Sequence, residues 1–206
     1  MKIMQGLAIV PMLALVAAAP FDDPAIEAAT TVSRNLSNQF QKELGAALQS
    51  AIKTQGTAGA VTACATIAPE VASRISAQSG ANVRRTSLRA RNPQAVPDGY
   101  ERTILAVLGA VPASSEGPPN ESAGWTGTSA DRRFRYLRAI PTAPMCLSCH
   151  GSNIAPDVAK AIAAHYPADN ATGFAAGDMR GAFSISWTPQ ALADALAKPT
   201  HANMQR

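Results

Sequence analysis

Apolar residues recur every four positions along the first part of the chain. Val32, Leu36, Phe40, Leu44, Leu48 and Ile52 follow Ile26, with Ala29, Ala47 and Ala51 beside them, which sets one stripe along a helix. Gly56 ends that helix. A second helical pattern puts Val61, Cys64, Ile67 or Ala68, Val71 and Ile75 on one face. Pro69 suits the first turn of a restarted segment and Gly80 its end, so Cys64 is expected to point inward. Residues 82–88 alternate weakly. Asn92-Pro93 and Pro97-Asp98-Gly99 then punctuate a loop before a helix over 100–108. Residues 111–129, rich in Gly, Pro and Ser, are expected to form an exposed loop. The segment 133–140 alternates as a strand, with Phe134, Tyr136 and Ile140 on one face and Arg133, Arg135, Leu137 and Ala139 on the other, and Pro141 stops it. A helix is expected over 154–166, a strand over 180–187 with Phe183, Ile185 and Trp187 facing one way, and a short helix over 191–197 before a frayed polar tail.

No internal repeat is present, and the strands are too few and too irregularly separated by helices for a doubly wound parallel sheet. The expected class is α+β. At 206 residues, 47% of them apolar, the chain suffices for one domain with a core. Residues 1–19 read as a secretory signal, with Lys2, an apolar run and then Ala17, Ala18 and Ala19. Pro11 interrupts the run, which is short for a bilayer span, so the mature form is expected to lack a stable membrane span. The domain is placed at 20–188 and the tail at 189–206. A formal charge of +4 is too mild to imply nucleic acid.

Three cysteines are an odd number for a secreted chain and argue against a closed disulfide framework. Two of them stand in Cys146-Leu147-Ser148-Cys149-His150, the C-x-x-C-H pattern in which two thiols add to the vinyl groups of a haem and the next histidine reaches the iron. Both cysteines must sit under one edge of the porphyrin, and the following histidine then falls beneath the ring centre. The motif therefore points to one covalent haem c, carried by Cys146 and Cys149, with His150 as proximal ligand. A closed zinc site would need four ligands, and the chain has no second C-x-x-C. Cys64, His165, Met179 and His201 are candidates for the opposite side of the iron. For Cys64, an inert core thiol and an iron ligand read equally well from the residues alone.

Further segments fall into an ordered set: 85–93, 97–101, 134–141, 146–151 and 177–183. In that order they resemble the bacterial c-type haem family with a PAS-like domain, over roughly residues 30–187. The resemblance implies a PAS-like antiparallel sheet with long N-terminal helices packed around one haem, and a standalone, exported or periplasmic redox or ligand sensor. It also implies that Cys64, followed by Ala68-Pro69, ligates the iron opposite His150. Nothing carries over to the irregular segment 111–129 or to the tail after Trp187.

Arg85, Arg89 and Arg91 are candidate partners for haem propionates, because a guanidinium fork matches a carboxylate. Tyr136 and Phe183 are candidate walls of the haem pocket. The expected function is sensing of redox state or of a small gas through exchange of the axial ligand, read by an unidentified redox or signalling protein. The alternative is a periplasmic one-electron carrier with a stable six-coordinate haem. No distal His–Arg arrangement has a recognisable spacing, so the chain does not read as an enzyme.

Overall fold

The computed structural model describes residues 24–110 and 120–198. The expected signal, His201 and residues 111–119 lie outside the described residues. Helix α1 runs Pro24–Ser79 and is broken at Gly56, whose φ of +73° is open to glycine without strain. Glu43 and Arg74, on opposite sides of that glycine, form an ion pair, so the two halves of α1 lie side by side. Pro69 does not restart a helix as expected. The helix continues through it, and the burial of Ala68, Val71 and Ile75 outweighs the one backbone donor that proline lacks.

Four antiparallel strands follow: β1 (Asn82–Thr86), β2 (Glu121–Thr126), β3 (Arg133–Pro141) and β4 (Met179–Trp187), in the order β1-β4-β3-β2. Strand β2 corrects the expected loop over 111–129. It is an edge strand in which every residue is half-buried, so no burial alternation marks it. Helices α2 (Gly99–Gly109), α3 (Leu147–His150), α4 (Pro156–His165) and α5 (Pro189–Ala197) complete the α+β fold.

One face of the sheet packs on α1, where Phe40, Leu44, Val71 and Ile75 meet Val83, Phe134, Tyr136, Phe183, Ile185 and Trp187. Small Ser33 on α1 lets the indole approach, and Trp187 Nε1 donates to its Oγ at 2.9 Å. Arg138 crosses the same interface, donating to Gln41 Oε1 at 2.7 Å and also to Asn38. The other face of the sheet packs on α2 through Leu105, Leu108, Leu137 and Ala182. Buried Glu101 fixes α2 to β1 and β4. It accepts from Arg84 at 2.9 and 3.1 Å, from Thr86 at 3.1 Å and from Ser184 at 2.7 Å, and it closes a capping box with Asp98. With both sheet faces covered, the Gly56 end of α1 extends beyond the core, where Leu48, Ile52 and Cys64 border a cavity rather than the sheet. Among the described residues no helix is long and apolar enough to cross a membrane.

Candidate functional site

That cavity, of about 220 Å³, lies between the far ends of both halves of α1, the β1 end of the sheet and the Cys146–His150 segment. Its walls are mostly aliphatic, from Leu44, Leu48, Ile52 and Val61. The motif enters it because Pro144 starts a single tight turn that ends at Cys146, and α3 then carries Cys149 and His150 through one further turn. Gly151 ends α3, and a Cβ there would stand 2.7 Å from Leu147 O, so the chain leaves the motif in the least space available. All three cysteines are free and half-buried, and all three line this cavity. Cys64 comes to it from the second half of α1 and the motif from the opposite end of the sequence.

The segment between α4 and β4 returns across the motif and pins it. Phe174 N donates to His150 O and Gly173 N to Gly151 O, each at 2.9 Å. His150 Nδ1 lies 2.7 Å from Ala171 O, so it carries the proton and leaves the lone pair on Nε2, the tautomer that a metal-ligating histidine requires. Burial, then the nearby Arg180 and Arg91, push the His150 pKa down to about 3, so the ring is neutral at physiological pH. Burial pushes the Cys64 and Cys149 thiols up, opposed by Arg91 at both and by Arg85 at Cys64.

Arg91 is a strut within this frame rather than a free cation. It forms a two-pronged pair with Asp169 at 3.1 Å and donates to Cys149 O at 2.6 Å and Ala171 O at 3.2 Å. One side chain thus holds both the carbonyl of the second motif cysteine and the carbonyl that orients the histidine. The donor set and the aliphatic walls fit a haem. Two thiols and a neutral imidazole come from one short segment, a third thiol faces them, and arginines stand at the border.

A sequence model of the family described as Tll0287-like matches residues 22–188. The chain belongs to the Tll0287-like family. The matched span contains every residue that lines the cavity. The crystal structure of the cyanobacterial heme-protein Tll0287 is similar to this chain, with 26% identity, 81% of this chain and 91% of that one covered, and a TM-score of 0.50. No curated protein sequence matches the chain.

Several expected site residues of this Tll0287-like chain stand elsewhere. Tyr136 and Phe183 belong to the α1–sheet core and do not line the cavity: they share the α1 side of the sheet with Arg85 and Ile140 but stand along its middle, away from the cavity end. Arg89 turns to a separate cavity, stacks 4.1 Å above the Phe174 ring and donates to the carbonyls of Asn170 and Thr172. Met179 lines that second cavity also, against α2. His165 bonds Thr62 Oγ1 at 2.9 Å on the surface. Of the expected ligands opposite His150, Cys64 alone among the described residues lines the motif's cavity. Arg85 and Arg91 line it, and so does Arg180, which sequence reasoning missed. Its signal was its place at the start of a strand whose next residue is glycine. A Cβ at Gly181 would stand 2.4 Å from Thr86 O, so β4 must press against β1 where Arg180 enters the cavity.

Proposed function

We propose that this chain is an exported haem protein that senses redox state or a small gas through exchange of an axial iron ligand. In this reading Cys146 and Cys149 carry one haem c. Each thiol adds across a vinyl C=C, forming an S–C and a C–H bond while the S–H and the π bond are lost, with no net transfer of electrons. His150 Nε2 and the Cys64 sulfur are the donor atoms that would hold its iron. When bound, the haem would supply an iron able to change oxidation state and to take a small molecule. The observation that carries the reading is the convergence of Cys64, Cys146, Cys149 and a neutral, oriented His150 on one aliphatic cavity. The description of the solved relative as a heme-protein supports it.

Cys64 sits one turn before Ala68 and two turns before Val71, which pack on the sheet, so a change at its sulfur would be felt by the half of α1 that covers that face. A second protein reads the shift. Secretion through the 1–19 leader puts the thiols where bacterial haem attachment takes place.

The test is optical. Ferric, ferrous and carbon monoxide-exposed spectra of the matured wild type and Cys64→Ala are compared. Thiolate ligation that vanishes in the variant, with carbon monoxide binding to the reduced wild type, supports ligand exchange. A variant identical to wild type, with reduced iron that refuses carbon monoxide, overturns it in favour of a one-electron carrier.

A further inference from the structure

The cavity holds two positive charges that no carboxylate of the described residues balances. Arg91 is matched by Asp169. Arg85, on β1, lines the cavity and is exposed, has no ion-pair partner among the described residues, and carries its Cζ 5.9 Å from the centre of the Phe40 ring. Arg180 Nη1 donates to Ser87 Oγ at 3.1 Å and to Arg89 O at 3.3 Å, both neutral acceptors. Arg180 Nε stands 3.2 Å from His150 Nδ1 and 3.5 Å from Nε2, and because Nδ1 carries the proton given to Ala171 O, the ring lone pair is on Nε2. Two like charges facing one cavity repel each other, and a ligand of opposite charge relieves that repulsion. A ligand with two carboxylates satisfies both, and each guanidinium presents the fork that a carboxylate accepts.

We infer that Arg85 and Arg180 hold the two propionate carboxylates of the haem, an assignment that rests on the haem reading above. If Nε2 held the iron, the His150 ring would have no lone pair for Arg180 Nε–H, and that donor would be open to a propionate oxygen. Arg89 and Arg91 are excluded from the role, because the first lines the separate cavity and not this one, and Asp169 and two carbonyls hold the second.

The experiment uses the matured holoprotein with Arg85→Met, Arg180→Met and the charge-keeping Arg85→Lys and Arg180→Lys. Covalent haem is quantified as the pyridine haemochrome, propionate bending bands are followed by resonance Raman, and the midpoint potential is measured. Each Met substitution is expected to shift the propionate bands and to lower the potential, because a carboxylate stripped of its cation favours ferric iron. Each Lys substitution is expected to shift the bands with a smaller change in potential, and these variants decide the matter if a Met variant does not mature. Wild-type bands and potentials in all variants that carry covalent haem overturn the inference and leave the haem reading standing. A wild type without covalent haem overturns the reading beneath it.

Discussion

Asp169→Ala removes the acceptor on which the frame around His150 depends. The carboxylate takes two bonds from Arg91 at 3.1 Å and a third from Ala171 N at 2.8 Å, and the paired side chains are only 10% and 9% exposed. The substitution leaves Arg91 enclosed with carbonyl partners alone. Removing one partner of a buried pair costs about 3–5 kcal/mol. With a urea slope of about 2 kcal/mol per molar, the unfolding midpoint should fall by about 2 M. Because Arg91 also donates to Cys149 O and Ala171 O, the loss loosens the acceptor that orients His150. Urea titrations of matured wild type, Asp169→Ala, Arg91→Met and the double variant, followed by far-ultraviolet circular dichroism, close a thermodynamic cycle. The double variant should cost less than the sum of the singles by about 1–3 kcal/mol. A single-variant cost below about 1 kcal/mol, or strict additivity, would refute the view that this pair is the strut of the site.

Two further perturbations test the fold that carries it. Tyr136→Phe removes the 2.6 Å bond to Glu121 Oε2 from a fully buried ring and should cost about 1–2 kcal/mol at neutral pH by thermal melting. Burial, then Glu121, raise the Tyr136 pKa above its ordinary 10, so the fold favours the neutral phenol. That contribution is complete below pH 10 and is lost as the pH rises toward the raised folded value, so the wild type should lose stability above pH 10 more steeply than the variant. Equal slopes would contradict this. Gly181→Ala places a Cβ 2.4 Å from Thr86 O, a backbone atom that cannot step aside, and should cost about 1–3 kcal/mol by the same melts. An unchanged melting temperature would show that β1 and β4 do not press together there.

The long helices were legible because their apolar period is regular, and Gly56 marked the break where the structure turns α1 back on itself. The motif at 146–150 was legible because its five residues are consecutive in the chain. Strand β2 was not, since an edge strand between Gly- and Pro-rich segments, half-buried throughout, leaves no alternation to read. Nor was the sorting of the arginines. Arg85, Arg89 and Arg91 share one short stretch of chain, but only the return of 169–174 across the motif, about 80 positions later, decides which are held by the protein and which face the cavity. Tyr136 and Phe183 carried aromatic bulk on the correct strand face, yet that face meets α1 along its core and not at the cavity end.

The central claim is that Cys146 and Cys149 hold haem covalently. It is tested most directly by expressing the full chain with periplasmic haem-maturation machinery, extracting the denatured protein with acidified organic solvent and recording the pyridine haemochrome of the protein fraction. The haem should stay with the wild-type chain, with the spectrum of a porphyrin whose two vinyl groups are saturated, and should leave it when Cys146 and Cys149 are both replaced by alanine. A wild-type chain that yields all its haem to the solvent, or carries none, would contradict the account.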